Sequence, residues 1–427
     1  MTAITADDLG RSAIRMPLAI FWPALFLAAA WLTAANAGQV PQVLHTLFLY
    51  VPYAVSLVGA VIGWRFNRSR LVFSLIAVSI GQWMLTGPAN SIRPGSSAEL
   101  GYMAYALLFP VGLLALSLFK ERGLLTRHGL IRAGIFAALA VAVLALAAAD
   151  HWLVKDIAAA VQKSTVKLLS TPMVPNRWIP VTEIPEPAIV AFIATLVYFV
   201  ARLVVLGNPP LESGALGGLL AGLLALHFVG DNLAVSAFFT AAAVSMLTAA
   251  IQDGYRLAFV DELTGLPARR ALTMETMKLG QRFAIAMLDV DHFKKFNDTY
   301  GHDIGDQVLR MVAGRMQRVA GGGRPFRYGG EEFTVIFPGK TAEEALPHLD
   351  ALRESIKESG FTIRAKDRPK AKPSKNAKNS GGKRVSVTIS IGVSERSEKH
   401  PDPDAVIKAA DQALYRAKKA GRNRVST

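Results

Sequence analysis

The chain of 427 residues is 52% hydrophobic, carries a net charge of +15 and contains no cysteine. Its length exceeds that of one ordinary domain, and its mean hydropathy of +0.32 exceeds that of a soluble one, which excludes a soluble single-domain enzyme. Without thiols there is no disulfide and no thiolate-held zinc or iron–sulfur centre, so any metal must sit on oxygen or imidazole. The charge implies no nucleic-acid partner, because basic residues of a membrane protein set its topology and meet anionic headgroups.

Apolar runs dominate up to Gln252, and residues 1–252 are predicted to form a transmembrane domain of sensory or regulatory role. About eight spans fit: Met16–Ala35, Leu47–Trp64, Leu71–Gly87, Tyr102–Phe119, Ala133–Ala149, Ala188–Leu206, Ala215–Val229 and Leu233–Gln252. Arg11 and Arg15 before the first, Arg65, Arg68 and Arg70 after the second, and Lys120, Arg122, Arg127 and Arg132 after the fourth mark cytoplasmic ends. An even number of spans returns the C-terminal half to the cytoplasm, which predicts a multi-pass membrane protein with the lipid bilayer as partner. Ala35-Asn36-Ala37 matches a signal-peptidase site, but the run before it is long for a signal peptide, and an uncleaved helix is favoured. The loop from Asp150 to Pro187 has helical apolar spacing in its first half and suits the membrane surface. His227 and Asp231 fit an interfacial structural pair better than a ligand or proton sensor.

Residues 253–260 read as a helical connector, and 261–427 as a soluble domain. Asp261-Glu262-Leu263-Thr264-Gly265-Leu266-Pro267 is a turn before a helix over Ala268–Leu279. Phe283–Leu288 is a buried central strand that delivers Asp289-Val290-Asp291 at its end. Asp289 and Asp291 share one face of an extended chain, a natural seat for magnesium, although Asp291 suits a helix cap equally well. The helix start at His292-Phe293-Lys294-Lys295 offers free N–H groups and positive charge to a phosphate. Asn297 and Asp306 flank the following loop, ahead of a helix over Gln307–Ala320; an aspartate can accept from both guanine N–H donors, though Asn, Asp and Gly are also ordinary turn residues.

Arg327-Tyr328-Gly329-Gly330-Glu331-Glu332-Phe333 reads as a tight hairpin between two strands. Gly329 and Gly330 let a ligand approach the backbone, while Glu331 and Glu332 begin the return strand on opposite faces. A helix over Thr341–Gly360 and strands over Phe361–Arg364 and Val385–Val393 follow, with a basic flexible insertion at 365–384 between the strands. It suits either an anionic membrane surface or a solvated linker. In the last helix, Asp404–Ala420, and just past it, Lys418 and Arg422 lie one turn apart and suit either a phosphate clamp or solvent.

In this order, Asp261-x-Leu263-Thr264-Gly265-Leu266, Asp289-Val290-Asp291-x-Phe293-Lys294, Asn297-Asp298, Gly301-His302-x-x-Gly305-Asp306, the hairpin, Ser390-Ile391-Gly392-Val393 and Ala410-Asp411-x-Ala413-Leu414-Tyr415-x-Ala417-Lys418 resemble the GGDEF family of diguanylate cyclases. The hairpin is the family's Glu variant, and Ala268 stands where the family usually has Asn. The resemblance covers roughly Leu257 to Thr427 and implies a palm-like α/β domain with a central, mostly antiparallel sheet behind the all-α membrane domain. It further implies a homodimer that condenses two GTP into cyclic di-GMP and two pyrophosphates, with Mg²⁺, or Mn²⁺ in its place. By the same resemblance Asp289, the Val290 carbonyl and Glu331 hold the metal, and Glu331 is the candidate base for the ribose 3′-OH. Glu332 supports the metal site, Asn297 and Asp306 hold guanine, and Phe293, Lys294, His302, Lys418 and Arg422 bind the substrate, chiefly its phosphates. The family's product-inhibition motif, Arg-x-x-Asp before the hairpin, is replaced by Ala320 and Gly323, so no inhibitory site is expected. A catalytically inactive GTP- or cyclic di-GMP-responsive module is the alternative, and it usually shows as a lost acid or glycine in the hairpin.

Overall fold

The computed structural model describes residues 6–87, 90, 96–119, 123, 126–147, 164, 166, 167, 182–206, 209–363 and 383–427. Most of the 150–187 loop and nearly all of the 365–384 insertion lie outside the described residues. The chain divides into two compact units, Met1–Asp253 and Gly254–Thr427.

The first unit is built from helices α1 (Ala6–Ala35), α2 (Gln42–Arg65), α3 (Ser69–Thr86), α4 (Ser97–Leu118), α5 (Arg127–Ala147), α6 (Glu186–Leu206), α7 (Pro210–His227) and α8 (Asn232–Phe259). Each expected span falls on one of them. Among the described residues, five helices are long and apolar enough to cross a bilayer: α2, α3, the Ala98–Leu118 part of α4, α6 and α8, while α1 offers the shorter apolar stretch Ile20–Ala35. A glycine side of α7 permits close packing on α8, since a Cβ at Gly214 would lie 2.9 Å from the Ser245 carbonyl oxygen. Buried polar groups find partners across helices: Gln82 Nε2 donates to the Leu49 carbonyl and to Ser236 Oγ at 3.1 and 2.8 Å, Arg202 pairs with Glu212 at 2.6 Å, and Arg68 pairs with Asp253 at 2.7 Å. Asp231 Oδ1 accepts from the Leu233 and Ala234 N–H groups and so caps α8, while the His227 ring lies edge-on to Phe228. The Asp231 contacts are those of a helix cap.

In the second unit, a short α9 (Arg269–Thr276) precedes β1 (Phe283–Val290), α10 (Phe293–Tyr300), α11 (His302–Met316), β2 (Arg324–Gly329) and β3 (Glu332–Pro338). Then come α12 (Ala342–Glu358), β4 (Phe361–Ile363), β5 (Lys383–Val385), β6 (Ile389–Glu395), α13 (Pro403–Lys419) and β7 (Val425–Ser426). The sheet order is β2-β3-β1-β6-β7, with β4 and β5 forming a separate pair. Only β6 and β7 pair in parallel, so this is the mostly antiparallel sheet expected. Alternation splits the core between its two faces. Ala284, Ala286 and Leu288 of β1 pack with Val308 and Val312 of α11 and with Leu349 and Ile356 of α12. On the other face, Phe283 and Ile285 meet Leu272 of α9 and Val406 of α13, and Met287 meets Ala410 and Leu414.

Three expectations are corrected. The helix expected from Gln307 begins at His302, because Gly301 at φ +85° breaks α10 and turns the chain directly into α11. Asn297 and Asp306 therefore lie on two consecutive helices, not on either side of a loop. The strand expected over Val385–Val393 is two strands, β5 and β6, assigned to different sheets, since β5 pairs with β4 whereas β6 pairs with β1. Glu331 lies in the hairpin turn, and the return strand starts at Glu332.

The β6 and α13 backbones approach so closely at Gly392 that an added Cβ would stand 2.0 Å from Leu414 N and 2.2 Å from the Ala410 carbonyl oxygen. Neither atom is at the end of a flexible side chain. Gly392→Ala should therefore lower stability by about 3 kcal/mol, seen as a fall in the unfolding temperature of the detergent-solubilised chain.

Candidate active site

The site is built at the end of β1, whose apolar run is buried on both faces and fixes the register of its neighbours. Asp289 stands opposite Glu332 of β3 and opposite Ser390 of β6. Directly opposed residues share a face, and this face is the one covered by α13. The last turn of α13 brings Lys418 Nζ to 2.9 Å from Asp289 Oδ2, with the Asp289 side chain 8% exposed. Burial raises the Asp289 carboxyl above its ordinary pKa; Lys418 opposes the rise and the Asp291 charge adds to it. Burial followed by the Asp289 charge likewise raises Glu331 and Glu332. Three carboxylates thus resist simultaneous ionisation, the condition a bound cation relieves.

The hairpin turn is set by Gly330 at φ +45° and a register shift between Arg327 and Gly329. Arg327 fixes its shape: Nη2 donates to the Gly330 carbonyl at 2.7 Å and Nη1 to Asp261 Oδ1 at 2.6 Å. Asp261 also accepts from the Thr264 N–H at 2.8 Å. Burial disfavours its charge, but the hydrogen bonds from Thr264 and Arg327 outweigh that and hold its pKa below the ordinary value. The opening turn of the domain therefore braces the hairpin. Glu332 also lines a cavity of about 510 Å³ with Arg269, Tyr328 and Asp411, and the Arg269 guanidinium lies over the Tyr328 ring.

Asp291 is not the helix cap weighed from sequence. The N-cap of α10 is His292, in a left-handed conformation without a side-chain cap bond, and the Asp291 carboxylate is spent on three other donors: Thr388 Oγ1 at 2.7 Å, Ser390 Oγ at 2.6 Å and the Asn423 N–H at 3.1 Å. With His292 providing no side-chain acceptor, the first N–H groups of α10, next to Lys294, are open to an anion. Lys294 and His302 are exposed.

Asn297 is partly buried, and its Oδ1 is shielded from solvent without a hydrogen-bond partner. A Cβ at Gly305 would fall 1.9 Å from that oxygen, so Gly305 leaves the room in which the Asn297 amide sits, one residue before Asp306. An unpartnered buried polar atom costs about 1–3 kcal/mol, which a ligand donor would recover. Lys418 and Arg422 lie at and just past the end of α13, and Arg422 adds its charge to the field at Asp289.

The structure thus gathers Asp289, Glu331, Glu332 and Lys418 within mutual electrostatic reach, while Asn297 and Asp306 form a separate corner on α10 and α11. Among the described residues no three His, Asp or Glu side chains are grouped to hold a metal ion; the expected seat needs two carboxylates and the Val290 carbonyl, and its hard oxygen donors fit Mg²⁺. Sequence reasoning missed the roles of Thr388, Ser390, Asn423 and Gly305. Two hydroxyl residues two apart at the head of an apolar strand were the available signal for Thr388 and Ser390.

A central strand delivers carboxylates beside a glycine hairpin, under a helix end that carries lysine and arginine, within an α/β domain. Residues 258–373 and 369–424 match the family described as diguanylate cyclase, GGDEF domain, and the C-terminal half of the chain carries a GGDEF domain. The response regulator PleD of Caulobacter vibrioides is 40% identical over 183 residues, 41% of this chain and 37% of that protein. The diguanylate cyclase VdcA of Vibrio cholerae is 40% identical over 172 residues, 39% of this chain and 46% of that one. The chain thus spans less than half the length of these curated relatives. A crystal structure of the coiled coil and GGDEF domain of DgcB from Caulobacter crescentus in complex with c-di-GMP is 33% identical, with a TM-score of 0.38, and covers 43% of this chain and 93% of that one.

Because the raised carboxyls bind protons more readily folded than unfolded, their contribution to stability is present below the ordinary carboxylate pKa and declines as pH rises through the raised values. Without divalent cation, the unfolding temperature should therefore be higher for Asp289→Asn than for the parent at pH 8, and the gap should close toward pH 4. Thermal unfolding at both pH values checks the sign.

Proposed function

We propose that the chain is a membrane-bound diguanylate cyclase that condenses two GTP into cyclic di-GMP and two pyrophosphates under control of its membrane unit. The observation that carries this reading is the set of Asp289, Glu331 and Glu332, in which the Asp289 charge raises the proton affinity of both glutamates, with the Lys418 ammonium seated on Asp289. Both hairpin glycines and both acids are present, against an inactive nucleotide-responsive module. Orientation with the catalytic unit in the cytoplasm of a bacterial inner membrane, which the basic residues favour, would expose it to GTP.

Asp289, the Val290 carbonyl and Glu331 would hold Mg²⁺, or Mn²⁺. When bound, the metal neutralises charge on the α-phosphate and the departing pyrophosphate. Glu331, with a raised affinity for protons, accepts the proton of the ribose 3′-OH as its oxygen attacks the α-phosphorus of the second GTP. The bond to the β-phosphate oxygen breaks and pyrophosphate leaves, and repetition by the second half-site closes the ring. Lys418 exchanges Asp289 for phosphate oxygens, joined by Arg422 and the N–H groups at Phe293 and Lys294, with His302 at the start of α11. Asn297 and Asp306 receive guanine. The product is two-fold symmetric, so a C2 homodimer is the simplest assembly that completes it.

Asp289→Ala or Glu331→Ala should abolish the charge neutralisation and lower turnover on the order of 10³-fold or more. Incubation of the solubilised protein with GTP and Mg²⁺, with identification of the nucleotide product, tests the reading; near-native turnover by either variant would reject the assignment. Gly305→Ala should displace Asn297 and raise KM for GTP about tenfold, the loss of one hydrogen bond to the base, with kcat little changed in the same steady-state assay.

Product inhibition at the motif before the hairpin should be absent. Ala320 and Gly323 offer no charge, and a Cβ at Gly323 would stand 2.8–3.0 Å from Val319, Phe337 and Val335, leaving no place for an acid. Initial rates against added cyclic di-GMP at subsaturating GTP check this; half-inhibition below micromolar product, roughly 8 kcal/mol of binding, would overturn it.

A further inference from the structure

Arg422 and Asn423 follow α13 with φ of +63° and +47°, a left-handed conformation that side-chain-bearing residues avoid unless their surroundings impose it. Two contacts impose it here. The Asn423 N–H donates to Asp291 Oδ2 at 3.1 Å, and Asn423 Oδ1 accepts from Arg353 Nη1 of α12 at 3.0 Å. The same Asp291 carboxylate, 7% exposed, is held from the other side by Thr388 and Ser390 at the head of β6. One buried side chain therefore ties together the end of the strand that bears Asp289, the strand beside it and the turn that bears Arg422. Its hydrogen-bonding capacity is committed to protein donors, which leaves it poorly placed to ligate a cation.

We propose that Asp291 is a positioning residue for the triphosphate: through Asn423 it locks the left-handed turn that aims Arg422, and the helix end that aims Lys418, at the phosphates of the nucleotide beside Asp289. This rests on the functional reading above. Removal of the carboxylate frees the turn to relax into right-handed backbone, and the two cations lose their common aim. An asparagine at 291 can keep the geometry: Oδ1 accepts from Thr388 and the Asn423 N–H, and Nδ2 donates to a rotated Ser390 hydroxyl, so shape rather than charge is what the site requires.

The test is affinity of the detergent-solubilised full chain for the α,β-methylene analogue of GTP, measured by calorimetry with Mg²⁺. Asp291→Ala should weaken binding about tenfold, and Asp291→Asn should recover most of that loss. In a Lys418→Ala, Arg422→Ala background, Asp291→Ala should cause little further loss, because the anchor acts through those side chains. Should Asp291→Ala fail to fold by thermal unfolding, the pair Thr388→Val and Ser390→Ala, which removes two donors and keeps the carboxylate, should weaken binding at least threefold. Equal losses for Asp291→Ala and Asp291→Asn would show that the charge is required and overturn the proposal. So would full additivity with the Lys418 and Arg422 substitutions, or unchanged affinity in a folded Thr388→Val, Ser390→Ala protein. Absence of binding by the unsubstituted chain would instead reject the functional reading, and the anchor's role with it.

Discussion

The GGDEF unit depends on one costly placement, a carboxylate at the buried end of a central strand. Asp289 is almost excluded from water, and burial is the largest influence on its titration. A lone charge there would be expensive, and the fold meets that cost by bringing the Lys418 ammonium over from the end of α13. The contact fixes where α13 must end, and the close approach at Gly392 fixes how near the helix can lie. Glu332 is placed by the same strand register, directly opposite Asp289. The site is therefore a consequence of sheet pairing first and of side-chain choice second.

Around this centre the supporting contacts come from distant parts of the chain. Arg327 joins the hairpin to Asp261, 66 residues earlier, and Asp291 joins β1 to Asn423, 132 residues later. Each uses a buried or half-buried charged group whose partners are donors or a counter-ion, so each is strong where water is scarce and also specific in direction. Such ties hold the side chains around Asp289 and the hairpin in fixed positions.

The membrane unit follows the same logic in an apolar setting. Helices that expose leucine, valine and tryptophan outward pack inward through glycine, alanine and serine, and the few buried polar side chains, Gln82 among them, bridge neighbouring helices. Arg68 and Asp253 pair at the last residue of the unit. α8 continues past that residue to Phe259, so the stretch read as a helical connector is helical.

Sequence by itself determined a great deal. Hydropathy marked where the helices of the first unit lie, because a span needs an unbroken apolar run and little else. Motif order marked the GGDEF domain, an unbroken apolar run marked β1, and Gly-Gly between strand-favouring flanks marked the hairpin, because these signals are local. It also singled out Asp289, Glu331, Glu332, Asn297, Asp306, Lys418 and Arg422 as candidates. What it left open was decided only by tertiary structure. Whether Asp291 caps a helix or binds a cation is undecidable locally, since its actual partners, Thr388, Ser390 and Asn423, are about a hundred residues away. The start of α11 at His302 depended on a positive φ at Gly301, and the split before Ile389 depended on β5 pairing with β4 while β6 pairs with β1. Local preference proposes elements from neighbours a few residues apart, whereas the roles of buried polar groups are set by whichever distant donors the fold brings within 3 Å.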